Sequence, residues 1–207
     1  MQGRKAMVLV CGLAVGLGVA MGARGAQGQG AWEAGAGRDG VQLLQSADGS
    51  TALAYRGQVF HEAQGRVEGL RWAAVPGSEA LLVAWREVGP WGQRSYSAVS
   101  KLGVRIDRVS PSEQTIRLRY ANFDPLAFEP AVPASLAAGP EHDAYIVQFI
   151  AQPIEAVDKA LEAAGASVLR PLHDHARIVR MDAAALDAVR SMPMVRWVGG
   201  VPPGVQA

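Results

Sequence analysis

Apolar and polar positions alternate along this chain in two regimes. From Val41 to Tyr120 the apolar runs are short and follow a period of two, as strands do. Val41–Gln45 and Thr51–Arg56 flank Asp48-Gly49, a hairpin signal. Val67–Val75, Ala80–Glu87 and Arg94–Ser100 follow, with Gly89-Pro90 and Gly92 marking a turn. Val104–Val109 and Gln114–Tyr120 read as a further pair around Ser110-Pro111-Ser112. In the second of these, Ile116, Leu118 and Tyr120 share one side while Arg117 and Arg119 take the other. The pattern predicts a small antiparallel all-β module over residues 41–120 with one solvated face.

Residues 121–143 break the alternation. Pro125, Pro130, Pro133 and Pro140 fall here with Gly139, and the segment reads as an interdomain linker. From residue 144 to 200 strand and helix periods interleave. Tyr145, Val147 and Phe149 lie on one side of a first strand, Ile146 and Ile150 on the other. Pro153 suits the first turn of a helix, Ile154, Val157, Leu161 and Ala164 recur at helical spacing, and Gly165 follows as a cap. Ser167–Leu172 and Ala176–Met181 read as strands joined through His173-Asp174-His175. Asp182 is a suitable N-cap for a helix carrying Leu186 and Val189, which Pro193 stops. Met194–Val198 forms the last strand. The expected order is strand, helix, strand, strand, helix, strand. Two helices cover one face of such a sheet, and large apolar side chains remain on the other. That face is expected to meet a partner rather than to be covered by the β module of the same chain.

Composition adds an export signal. Arg4 and Lys5 precede an apolar run from Met7 to Met21, and Ala20-Met21-Gly22 fits a small-x-small cleavage site. Residues 1–26 therefore read as a signal peptide and 27–40 as a Gly/Ala/Gln linker, which places the protein outside the cytoplasm, secreted or periplasmic. Removing Arg4, Lys5 and Arg24 from 20 basic residues leaves 17 against 19 acidic ones. That balance gives no footprint for nucleic acid, and no membrane partner is expected once the signal is gone. Cys11, the single cysteine, lies inside the signal, so the exported chain has neither disulfides nor thiolate chemistry.

Catalytic signals are sparse. No Gly-x-Ser-x-Gly elbow or phosphate-binding glycine loop occurs. His173 and His175 are a weak metal candidate without a third ligand at metal spacing, so no metal or cofactor is expected. Trp72, Trp85 and Trp91 belong to the β module. The stretch around Trp85 loosely resembles one repeat of a sialidase-type propeller, far short of the roughly four blades a propeller needs. A core role is the better reading for these aromatics.

The most specific wording lies near the end: Tyr145–Phe149 ("YIVQF"), Ala160–Leu172 ("ALEAAGASVLRPL"), Ile178–Val189 ("IVRMDAAALDAV") and Val195–Pro203 ("VRWVGGVPP"). In order and spacing these resemble the propeptide, or inhibitor, domain of secreted bacterial subtilisin-like serine proteases. Arg177 departs from that pattern, standing where an apolar or aromatic residue is usual. So does Gly200, where an aromatic commonly follows. The resemblance implies an α+β class: a ferredoxin-like βαββαβ propeptide domain at 144–200, preceded by the small antiparallel all-β module and followed by an extended tail, 201–207. It implies a non-enzymatic protein that binds a subtilisin-like protease as folding chaperone or inhibitor. Asp174 would cap enzyme helices, and Trp197 would pack in the small domain or at its partner face. Gly199, Gly200, Pro202, Pro203, Val205 and Ala207 would lie in or lead to the active-site cleft by strand addition. The catalytic segments of subtilases do not occur before Ala207. The rival readings are the N-terminal part of a protease precursor and a surface- or carbohydrate-binding β module.

Overall fold

The computed structural model describes residues 32–34, 40–118, 121–128 and 143–201. The first sheet runs β1 (Trp32–Ala34), β2 (Val41–Ser46), β3 (Thr51–Tyr55) and β4 (Gln58–Ala63), in that order. A second sheet is a meander of β5 (Arg66–Ala74), β6 (Leu81–Gly89), β7 (Gly92–Ser100) and β8 (Arg108–Pro111). Strands β9 (Ile116–Leu118) and β10 (Ala121–Phe123) form a separate hairpin. The last sheet has the order β12 (Ser167–Leu172), β13 (Ala176–Arg180), β11 (Ala144–Phe149), β14 (Val195–Gly200). Helices α1 (Glu155–Ala163) and α2 (Ala183–Arg190) complete the described elements.

The expected class does not stand. Four antiparallel sheets and only two short helices among the described residues make this a mostly-β molecule, not an α+β protein with a ferredoxin-like βαββαβ fold. Strands went unread where local alternation is weak. Strand β4 was not expected at all. Strand β10 lies in the stretch read as linker, and β8 falls later than the predicted 104–109 strand. The predicted pairing of that strand with 114–120 is also replaced: β8 pairs with β7, and β9 with β10.

Burial explains the layering. Leu81, Val83 and Trp85 on one side of β6 pack with Val41, Leu53 and Tyr55 of the first sheet. Leu82 and Ala84 on its other side join Val147, Phe149, Val157, Leu161, Val179 and Val189 of the C-terminal unit in one continuous core. Strand β6 is therefore buried on both faces, which is why it reads as an unbroken apolar run rather than as an alternation. Its one buried carboxylate, Glu87, is matched by the Trp85 indole N–H at 3.1 Å, the Gln64 amide at 3.0 Å and the His61 ring at 2.5 Å.

The face of the last sheet away from the helices is closed from within. Ile116 and Phe123 of the β9–β10 hairpin cluster there with Ala144, Ile146, Ala176, Ile178 and Val201. The free apolar face expected to meet a partner is thus covered by the same chain. The cover comes from a hairpin whose first strand lies in the predicted β module and whose second lies in the stretch predicted as linker. Two local details also differ. Strand β11 ends at Phe149 after a bulge, so Ile150 joins Val147 and Phe149 in the helix-side core rather than Ile146. Pro153 lies one residue before the N-cap of α1 rather than in its first turn; Ile154 takes the N-cap, with no side-chain cap. Asp182 does cap α2, accepting the Ala185 N–H at 2.8 Å.

Candidate interface around the 173–175 turn and strand β14

The turn between β12 and β13 is forced into the left-handed region, with Asp174 at φ 62° and His175 at φ 64°. This geometry turns the two side chains to different uses. Asp174 forms an ion pair with Arg117 of β9 (Oδ2 to Nε 3.1 Å), and its carbonyl accepts the Gln148 side-chain N–H at 3.2 Å. Burial raises the Asp174 pKa, and the Arg117 charge opposes that rise. The carboxylate expected to cap a partner's helices is therefore engaged within this chain.

His175 is 7% exposed. Its Nε2 lies 2.8 Å from the Ser112 hydroxyl and 3.4 Å from that of Ser97, and its Nδ1 lies 3.2 Å from the Gln152 side-chain oxygen. A serine, a histidine and a side-chain carbonyl in line outwardly resemble a nucleophile relay. The third member is a neutral amide, however, and both serines are buried, so no substrate carbonyl reaches them. The cluster instead fastens the second sheet to the last one through polar contacts. His173 is exposed while His175 is buried, and the pair does not converge on one site. Among the described residues no three His, Cys, Asp or Glu side chains come together as a metal site.

Strand β14 carries the other expected residues. Trp197 is half-buried and meets Phe123 edge-on, ring centroids 6.2 Å apart. Its ring also lies against Gly199, where an added Cβ would overlap the indole and force the ring to move. Gly199 and Gly200 pair with Ile146 and Tyr145, and the Val201 N–H still bonds to the Ala144 carbonyl. These glycines belong to the sheet and not to a free tail. Pro202, Pro203, Val205 and Ala207 lie outside the described residues, as do the expected signal peptide and most of the two linkers.

Several residues at this junction were not singled out in the sequence. Arg196 has a side chain only 3% exposed and donates to Asp124 and Gln148, both at 2.6 Å. Beside it an open groove of about 500 Å³ is lined by Arg71, Arg86, Arg196, Glu113 and Asp124. Gln148 was the legible signal: a lone amide in an otherwise apolar strand implies buried polar partners. Arg177 was visible as a departure, and the structure accounts for it. Its guanidinium turns to the helix side, meeting Asp158 of α1 at 2.9 Å and the Pro153 carbonyl at 3.3 Å. Trp85, one of the tryptophans through which a carbohydrate-binding module would act, is 1% exposed and offers no sugar platform.

A family model described as a domain of unknown function, DUF8729, is similar to residues 117–202. That span takes in all of the β9–β10 hairpin except Ile116, together with the C-terminal sheet and both helices. No curated protein and no solved structure matches the chain.

Proposed function

We propose that this is an exported, non-catalytic, propeptide-like protein that binds a subtilisin-like serine protease as chaperone or inhibitor, in trans or in cis. The observation that carries the reading is the position of β14. It is one of the two edge strands of its sheet, with β11 as its one neighbour among the described residues, and its pairing continues to Val201. A strand at a free sheet edge offers its unpaired backbone groups for strand addition in a protease cleft. Pro202 and Pro203 restrict the freedom that binding would otherwise remove.

Internal packing changes how such binding works. With the sheet face closed by β9–β10 and Asp174 held by Arg117, contact falls to the β14 edge and the segment after Val201. The test is inhibition of a subtilisin-type protease by the exported chain, followed over hours. The expected result is saturable inhibition that fades as the chain is cleaved, lost on deleting residues 202–207 while circular dichroism is unchanged. The deletion starts at 202 because removing Gly199–Val201 would also unpair β14. Undiminished potency of the shortened chain would refute cleft binding by the tail. No inhibition across a panel of such proteases by the folded chain would refute the protease reading itself.

A further inference from the structure

We propose that the arginine-lined groove beside β14 binds a peptide carboxylate, a site separate from the protease-binding edge and independent of that reading. Three guanidinium groups from distant parts of the chain meet there: Arg71 of β5, Arg86 of β6 and Arg196 of β14. Two are wholly or partly neutralised. Arg196 donates to Asp124, and Arg86 lies 3.9 Å from Glu68. The second carboxylate of the lining, Glu113, is already paired with Arg117. Arg71 has no carboxylate within ion-pair distance among the described residues. The residue is exposed overall, but its guanidinium is partly desolvated against the groove; that desolvation, and then the charges of Arg196 and Arg86, lower its pKa. Arg71 is thus left without a counter-ion of its own beside two like charges. An anion between them would relieve the repulsion and gain charge-assisted hydrogen bonds.

The backbone is shaped for this arrangement. A β-bulge between Glu68 and Arg71, with Gly69 at φ 58°, interrupts the β5–β6 ladder where the groove opens. Bulges re-aim side chains in this way. The Arg196 side chain is buried and held by Asp124 and Gln148, which fixes its charge at the groove wall.

The lining also selects among anions. Asp124 and Glu113 stand beside the arginines and would repel a phosphate dianion. They suit a ligand that joins one carboxylate to N–H donors, as a peptide does. Gln93, Ser95 and Gln114 supply further amide and hydroxyl partners. The volume of about 500 Å³ accommodates a few residues.

Titration calorimetry on the full chain tests this with four probes. N-acetyl-Ala-Glu-Ala amide carries only a side-chain carboxylate, and N-acetyl-Ala-Ala-Ala acid only a chain-end one. N-acetyl-Ala-Gln-Ala amide carries none, and inorganic phosphate is the competing anion. Saturable binding of one or both carboxylate peptides, with the amide peptide silent and phosphate weaker, is expected. Which peptide binds identifies the source of the carboxylate. Arg71→Ala should weaken binding at least about tenfold, the loss of one charge-assisted bond. Arg71 is exposed, so the variant keeps its fold, and Arg86→Ala is a second variant on the other side of the groove. No binding by either carboxylate peptide, equal binding by the amide peptide, unchanged affinity in both variants, or tighter binding of phosphate would each overturn the proposal.

Discussion

At the residue scale, His175 gives the molecule a pH dependence. Burial depresses its pKa from 6.5 to about 4, so the ring is neutral in the fold at neutral pH. A histidine with a depressed folded pKa favours folding fully above its unfolded value. That stability is lost as pH falls from 6.5 towards 4, because the unfolded chain takes up the proton first. A gap of this size corresponds to a loss on the order of 3 kcal/mol. Asp174 works the other way. Its raised pKa penalises the charged carboxylate in the fold, and acidification relieves that penalty. Urea denaturation across pH 7.5 to 5, above the ordinary carboxylate range, separates the two. A His175→Asn variant keeps a residue tolerant of positive φ and removes the titrating ring. Its stability should fall less steeply with acidification than that of the native chain. Parallel pH profiles would show that the buried ring does not set the trend. The sequence presented His173 and His175 as a matched pair. A one-dimensional spacing does not reveal that a left-handed turn sends one ring to solvent and the other against Ser112.

At the element scale, the β9–β10 hairpin is a small device with a large effect. Six residues in two strands close an apolar face that would otherwise expose Ile146 and Ile178. Phe123 supplies much of that cover and also receives the edge of Trp197. Phe123→Ala should cost about 3–5 kcal/mol, near the range for aromatic truncation in a core, and should increase binding of a hydrophobic dye. A variant as stable as the native chain, with no added dye binding, would mean that the hairpin does not seal this face. The hairpin was only half legible. Ile116 and Leu118 alternate with Arg117 clearly enough to mark β9, but Ala121–Phe123 has no periodicity of its own and precedes the prolines that signal a linker. Its strand character comes from pairing with β9 and from packing on a sheet whose nearest strand begins at Ala144. Strand β4 was missed for a related reason, since none of its side chains is fully buried. By contrast, α2 was readable in detail because its cap, apolar stripe and stop signal are all local.

At the scale of the whole molecule, the middle sheet decides how the chain unfolds. Proline-rich composition between Asn122 and Asp143 suggests two loosely joined parts, yet Leu82, Ala84 and Val99 share a core with Val147, Leu161 and Val189 across that segment. The Ser112–His175 contact ties the same halves together by hydrogen bonding, and Arg196 holds Asp124 of the intervening segment. A contact between residues so far apart in sequence leaves no local trace, whereas a run of prolines does, and so the reading of the chain favoured separation. Shared burial of this kind makes opening one part costly for the other. The native chain should therefore unfold in a single transition, with tryptophan fluorescence and far-ultraviolet circular dichroism giving the same midpoint. Leu82→Ala sharpens the test, because Leu82 is fully buried on the side of β6 that faces the C-terminal unit. Its loss should lower stability by about 2–5 kcal/mol and move the curves from both probes together. If the dichroism and fluorescence midpoints separated in the native chain, or if only one moved in the variant, the two halves would be independent domains in contact. The apolar cluster between them would then contribute little to folding.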